Sequence, residues 1–283
     1  MSLNNKSKIH LCSFASPDLD ISIKRFVGQA QKSNFYNSIK VFGIDDLNKK
    51  KKMQIASLLV YSKRLYGYAS WKPQIIFEFL KTIPKGDIVQ YSDIGCHINS
   101  RGKKRLNFYE KIADTKSILA FQYFKPNFKK INNIKYQIYY EKNYTKNDLF
   151  KYFSISQNSK IKETEQFWSG TIFFKNNDFT NKFLKEWMKV CSINRLIDDS
   201  ISKTKEQKYF KEHRHDQSIF SILSKKNKIF ALSASECEWA ENAKGRTWDH
   251  LKFFPILAKR DKKLHFLKRF YQRQIKNFKR FLK

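Results

Sequence analysis

Apolar residues recur along this chain in two rhythms, and the switches between them mark out its elements. The run from Lys8 to Ala15, with Ile9, Leu11, Cys12, Phe14 and Ala15 apolar, reads as a buried strand. The stretch Ile21 to Asn34 changes to helical spacing behind Asp20 or Ser22 as a cap, and Ser38 to Phe42 returns to a strand. Strand, helix, strand at this spacing opens a parallel sheet. The lysines at 49 to 52 read as a solvated loop before a helix carrying Ile55, Leu58 and Leu59. Pro73 suits a first helical position, and Ile75, Ile76, Phe79 and Leu80 then share one buried face until Pro84 and Gly86 end the helix. Asp87 to Asp93 reads as a central strand running into a sharp turn at Gly95.

The same reading continues with strands at Ser117 to Phe124, Gln137 to Tyr140 and Gly170 to Phe174. Helices are expected at Lys146 to Phe153, Phe179 to Cys191 and Asp216 to Lys225. Alternating strands and helices predict one α/β domain over residues 1–258, with a separate segment, 259–283, after it. In that segment Leu264, Leu267, Tyr271, Ile275, Phe278 and Leu282 recur at helical spacing among basic residues, which predicts a basic amphipathic helix.

Charge changes this picture more than composition does. Lys and Arg number 57 against 25 Asp and Glu, a formal net charge of +32, so attraction to polyanions is expected: nucleic acid, anionic lipid or sugar-nucleotide phosphate. Residues 259–283 alone hold eleven Lys/Arg and one acid, Asp261. Eleven basic residues interleaved with an apolar stripe predict contact with an anionic inner-membrane surface, the alternative being a helix packed on the domain with a solvated basic face. No helix-turn-helix, zinc-finger or RNP-like motif supports a nucleic-acid partner. The four cysteines, Cys12, Cys96, Cys191 and Cys237, are widely spaced and suggest neither a zinc site nor a disulfide framework. With no apolar signal core and no spanning apolar run, a cytoplasmic protein peripheral to the plasma membrane is expected.

Candidate chemistry gathers in three places. Gly67 to Pro73 (GYASWKP) precedes Asp87 and then Tyr91 to Cys96 (YSDIGC), so Asp93 falls where a predicted strand ends, the place where α/β sheets bind ligands. Asp93 is a candidate for a metal ion or a sugar hydroxyl, or else caps the turn before Gly95. Lys72 is a phosphate-binding candidate or a surface lysine. Trp168, Ser169 and Gly170 open a buried strand; there an indole could pack on a pyranose face while a glycine admits close backbone approach. His213 to Gln217 (HRHDQ) has residue types for acid–base work, although Asp216 could simply cap the helix that follows. Asp198 and Asp199 are further acids in a polar loop.

Taken together and in order, these segments resemble bacterial glycosyltransferases of the GT-A type that build capsule and lipooligosaccharide, in which a GYWxWKP stretch precedes GDxxxYxDxG. The likeness runs on through Tyr144 to Phe150, Gln166 to Phe174 and Glu212 to Phe220, and covers residues from about 7 to 235. It implies a GT-A-like, mostly parallel central sheet flanked by helices. It also implies transfer of a sugar from a nucleotide-sugar donor to a glycan or lipid-linked acceptor. The donor would contact Phe14, Ala15, Ser16, Arg64, Lys72, Ser92, Asp93 and Gly95. Trp168, Ser169, Gly170, His215 and Gln217 would face the sugar and acceptor, and Asp216 would be the catalytic carboxylate. The family's Asp-x-Asp is here Asp93-Ile94-Gly95, so Mn2+ or Mg2+ would have Asp93 as its one carboxylate ligand from this motif. Lys72, Arg64 or Lys146 would otherwise neutralise the leaving diphosphate.

Overall fold

A computed structural model describes residues 7–126, 134–206 and 208–260. In chain order its strands are β1 (Ile9–Phe14), β2 (Ser38–Phe42), β3 (Ile88–Ser92), β4 (His97–Ile98), β5 (Ile118–Gln122), β6 (Lys135–Tyr136) and β7 (Phe167–Lys175). Then come β8 (Phe230–Ser233), β9 (Ala240–Asn242), β10 (Gly245–Thr247) and β11 (Ile256–Leu257). Six of them form the central sheet in the order β2-β1-β3-β7-β5-β8. β1 pairs in parallel with β2 and β3, β5 with β8, and β7 lies antiparallel between β3 and β5. Five strands therefore run one way and β7 the other. The expected fold class, α/β with a mostly parallel central sheet flanked by helices, is the one observed.

Helices cover both faces because the central strands are apolar on both. Ile9, Leu11 and Leu119 pack with Phe26 and Ala30 of the helix Asp20–Ser33 and with Leu106, Tyr109 and Ala113 of the helix Lys103–Lys116. Phe14, Val89, Ile172 and Phe174 face the helices Lys72–Leu80, Asp178–Cys191 and Asp216–Lys226, through Ile76, Phe183, Trp187 and Phe220. Continuous burial of β1, β3 and nearly all of β7 is the signature of strands enclosed by two helical layers.

Several local expectations give way. The lysines at 49–52 are the first turn of the helix Lys49–Tyr61, not a loop, because Asn48 caps it by accepting from the Lys51 N–H at 2.9 Å. Lys51 itself is buried, with its ammonium on the Ser70 carbonyl. The first helix starts at Asp20 with Leu19 in the cap position, so neither Asp20 nor Ser22 caps it; Asp20 instead sits in the first turn, where its charge suits the helix dipole. Within 137–140 only Tyr140 bridges, to Glu165, and the nearby strand is β6. The segment expected as a basic amphipathic helix lies, beyond Arg260, outside the described residues. No described helix is long and apolar enough to cross a membrane.

Candidate active site

The parallel strands β1, β3, β5 and β8 all end at one edge of the sheet, and the candidate residues collect above it. Just before the helix Lys72–Leu80 the chain coils through a left-handed run at Leu65, Tyr66, Gly67, Tyr68 and Ala69. Gly67, at φ +83°, is the member of that run for which this geometry costs least, and a Cβ there would crowd Ile55 at 3.2 Å. The coil sets Trp71 face to face with Phe14 at 3.9 Å between centroids and turns Lys72 inward at the start of its helix.

Lys72 is almost wholly buried, and its ammonium holds the site together. It lies 2.7 Å from Asp216 Oδ2, 3.3 Å from Asp93 Oδ1 and 3.2 Å from both the carbonyl and the hydroxyl of Ser169. The Ser169 hydroxyl also donates to Asp216 Oδ2 at 2.8 Å, and the Tyr91 hydroxyl donates to Asp93 Oδ1 at 2.6 Å. Burial by itself would lower the Lys72 pKa, but Asp216 and Asp93 more than offset it and raise it, so the ammonium stays charged. Burial raises the Asp216 pKa, with Lys72 opposing. One cation and two carboxylates leave a net charge of −1, and the two acids differ in access: Asp216 is 3% exposed and Asp93 46%.

Backbone ties fix these side chains. Cys96 N–H donates to the Asp93 carbonyl, closing the turn that holds Gly95. Arg25 reaches across to the carbonyls of Ile94 and Cys96 at 2.5 and 2.7 Å. Asp93 N–H donates to the Gly170 carbonyl at 2.8 Å, so the end of β3 and the start of β7 are stitched together beneath Ser169. Gly170 is required because the Trp168 indole occupies the place of its Cβ, 2.3 Å from where that atom would stand. Asp216 does not cap its helix. His215 holds the cap position with φ 53° and ψ −123°, no side chain caps the end, and the Asp216 carboxylate turns to Lys72 instead.

The sequence-predicted residues thus divide. Lys72, Asp93, Ser169 and Asp216 converge, and Gly95 and Gly170 shape the backbone beneath them. Phe14 and Ala15 are buried at the end of β1, and the Ser16 hydroxyl donates to Asp18. Ser92 is turned inside, its hydroxyl shared with Gln90 and Thr171, so its side chain faces the sheet interior and not a ligand. Trp168 is 4% exposed and packs on Phe121, a core position rather than an open sugar platform. Gln217 donates to Gln166. Arg64 is partly exposed and spans Glu212 at 3.0 Å and Asp199 at 3.5 Å. The Lys146 ammonium is engaged by the carbonyls of Asp198 and Ser200 and the Asp198 carboxylate, anchoring that loop.

The two histidines are tied to carbonyls. His215 Nδ1 lies 2.7 Å from the Ile197 carbonyl and His213 Nε2 2.9 Å from that of Leu196; a carbonyl only accepts, so each of these nitrogens carries the hydrogen. Burial lowers both pKa values, that of His215 to about 4 with Arg64 adding to the effect, so both rings are neutral near pH 7.

A divalent ion does not fit as a bridge between the carboxylates. Lys72 already lies between Asp93 and Asp216, and an ion outside it would have one carboxylate, Asp93, from this pair. Among the described residues there is no group of three or more His, Cys, Asp or Glu placed to hold a metal.

Sequence reasoning gave no role to Tyr91, although it stands inside the quoted segment; its alternation with Asp93 along one strand was the available signal. Glu236 and Glu238 were also missed. They follow β8, beyond the segments with the family likeness, and nothing local distinguishes them from surface acids.

No family model matches the chain, and no curated protein matches it. Solved structures with partial likeness include mouse xyloside xylosyltransferase 1 in its apo form, at 8% identity and a TM-score of 0.43, covering 81% of this chain and 86% of that one. The bifunctional glycosyltransferase WbbM, also apo, shares 12% identity at a TM-score of 0.43, over 84% of this chain and 40% of its own length. A 4-diphosphocytidyl-2C-methyl-D-erythritol synthase from Anaerococcus prevotii shares 10% identity at 0.37, over 81% and 87%. Likenesses this distant do not bear on what the chain does.

Proposed function

We propose that the protein is a glycosyltransferase that moves a sugar from a nucleotide-sugar donor to an acceptor glycan of a capsule or lipooligosaccharide. The observation that carries the reading is the convergence of Lys72, Asp93, Ser169 and Asp216, from four separate segments, at the carboxyl edge of the sheet. In this reading the nucleotide lies near the end of β1, against Phe14 to Ser16 and the Trp71 stacked on Phe14. Asp93, the exposed carboxylate, accepts hydroxyls of the donor sugar and positions it beneath its diphosphate. Asp216 is the buried carboxylate directed at the donor sugar or the acceptor hydroxyl; burial makes it more basic than an ordinary aspartate, which favours taking up a proton. The N–H groups of Lys72 are spent on Asp93, Asp216 and Ser169, so it positions both acids. Neutralising the leaving diphosphate falls to more exposed cations such as Arg64.

The test has two parts. Calorimetry with UDP and GDP should detect binding to the full chain, and Asp216→Asn should lower turnover by about 1,000-fold or more while leaving the melting curve cooperative. Absence of binding to any nucleoside diphosphate, with or without manganese, or near-normal turnover by the variant, would overturn the reading.

The basic segment 259–283 belongs to the same proposal as a contact with anionic membrane, where lipid-linked acceptors are found. Full-length protein should co-sediment with liposomes containing anionic lipid at low salt and less at high salt, and a chain ending at residue 260, which keeps the pair between Arg260 and Glu238, should not. Equal sedimentation of both forms sinks this part alone.

A further inference from the structure

The β5–β8 side of the same sheet edge holds a second group of charged and aromatic side chains that the roles above leave unused. Tyr123, just past the end of β5, donates from its hydroxyl to Glu238 Oε1 at 3.2 Å, and Arg260 Nη2 donates to the same oxygen at 2.8 Å. The Glu238 side chain is 2% exposed, and its other oxygen, Oε2, is buried without a hydrogen-bond partner among the described residues. A carboxylate oxygen in that state lacks a donor, and leaving one unmatched is costly. Arg260 is 56% exposed, so the rest of its guanidinium faces outward.

On the other flank, Arg214 packs into the corner of two rings that meet edge to face, 3.8 Å from the centroid of Tyr139 and 3.9 Å from that of Tyr144. Tyr139 in turn meets Tyr123 edge to face at 4.6 Å. Glu212 lies 3.7 Å from Arg214 Nε, beyond ordinary hydrogen-bond length, and is itself paired with Arg64. Among the described residues the Arg214 guanidinium has no carboxylate within hydrogen-bond length, and such a fork matches carboxylate and phosphate groups. In sequence Arg214 stands two positions before Asp216, in the turn that leads into the helix Asp216–Lys226, where its carbonyl accepts from the Gln217 N–H.

We infer that Arg214 and Arg260, bracketing the Tyr123–Tyr139 pair, form an acceptor subsite for a sugar bearing an anionic group, a carboxylate or a phosphate. The inference rests on the glycosyltransferase reading and adds the class of acceptor. Arg214 and the outer edge of Arg260 donate to the anion, while the buried Glu238 carboxylate holds Arg260 in place. The rings of Tyr139 and Tyr144 hold the guanidinium of Arg214 in place.

The experiment is calorimetry on the full chain with three probes: an oligosaccharide containing hexuronic acid, its carboxyl-reduced counterpart, and a phosphorylated disaccharide. At least one anionic probe should bind about ten-fold or more tightly than the reduced one, and which of the two does so names the source of the charge. Arg214→Gln should remove that preference, and Arg214→Lys should restore little of it, because a lysine keeps the charge but not the fork. The pair Arg260→Gln with Glu238→Gln, which leaves no buried carboxylate unmatched, should weaken it as well. Lys182→Gln with Lys185→Gln, exposed on the helix Asp178–Cys191, removes more charge than Arg214→Gln and should change nothing. Equal binding of anionic and reduced probes overturns the inference, as does a loss as large in the Lys182/Lys185 control. UDP binding, read on the same samples, separates the two readings. If it persists while the anionic preference is absent, the acceptor class falls and the glycosyltransferase reading stands.

Discussion

The two halves of the sheet's ligand edge manage buried acids in opposite ways. On the β1–β3 side one buried ammonium, Lys72, serves two carboxylates, and all three groups sit in or beside the candidate site. On the β5–β8 side Glu236 and Glu238 each have an arginine of their own reaching in from the surface. Arg105 grips Glu236 at 2.5 and 2.7 Å while Tyr109 donates to it, and Arg260 holds Glu238. These arginines are 32% and 56% exposed, so they keep part of their hydration, whereas Lys72, at 3%, keeps almost none. A desolvated ammonium is an expensive way to build a fold, and apolar side chains would fill the same space at less cost. The expense makes sense where two acids must be held at fixed positions and different accessibilities for chemistry.

Removing Lys72 is the most direct way to break this comparison. Lys72→Met keeps the volume but leaves Asp216 buried with Ser169 alone, and should cost about 3–5 kcal/mol in denaturant unfolding at pH 7. Arg105→Gln should cost less, about 1–3 kcal/mol, because solvent reaches the place the guanidinium leaves. Lys72→Met combined with Asp216→Asn should regain most of the loss. If Lys72→Met costs no more than Arg105→Gln, the two halves do not differ in the way described.

His215, beside Asp216, sharpens the comparison through pH. An unfolded imidazole takes up a proton near 6.5, while in the fold burial delays this to about 4. The neutral ring's contribution is therefore complete above about pH 6.5 and is lost as the pH falls toward 4, a span of about 3 kcal/mol. His215→Gln has nothing to titrate there, so its unfolding free energy, followed from pH 7 to pH 4, should fall less than the wild type's by about that amount. Parallel curves for the two proteins would mean that His215 is not held neutral by the fold.

Much of this architecture was legible because its signals were local. The β-α-β opening, the helix led by Pro73 and the strand running into Asp93 each announce themselves within a dozen residues, and each begins within a residue or two of its expected place, although the helix led by Pro73 ends at Leu80, short of Pro84. The convergence of Lys72 with Asp216 was not legible, since the contact spans 144 positions and depends on β7 entering the sheet antiparallel between β3 and β5. The lysine run misled because charge density resembles a loop until Asn48 is recognised as a cap. Ser92 and Trp168 misled for a shared reason: motif neighbours alternate between the two faces of a strand, so adjacency in sequence to Asp93 or Ser169 does not carry adjacency in the site. Glu238 gave no sign at all, because its burial comes from packing after β8.

The seam between the two halves is β7, and Gly170 tests whether they are mechanically separate. A Cβ at 170 would lie 2.3 to 2.6 Å from atoms of the Trp168 indole, far inside contact distance, and the ring is packed in the core with Phe121, so it cannot swing into solvent. Gly170→Ala should therefore cost about 1–3 kcal/mol of stability. The strain has a direction. Because the Gly170 carbonyl accepts from Asp93 N–H, displacement of the β7 backbone passes to Asp93 and should weaken nucleoside diphosphate binding by several-fold. The β5–β8 side receives no such bond from residue 170, so the arginine pairs with Glu236 and Glu238 should stay as they are. Gly28→Ala provides the baseline: nothing lies within 4 Å of an added Cβ in that helix, and it should stabilise by about 0.5–1 kcal/mol without touching ligand binding. Chemical-shift changes for Gly170→Ala are expected at Trp168 and its ring neighbour Phe121 and around Asp93 and Ser169. Changes of equal size around Glu238 would show that the two halves move as one.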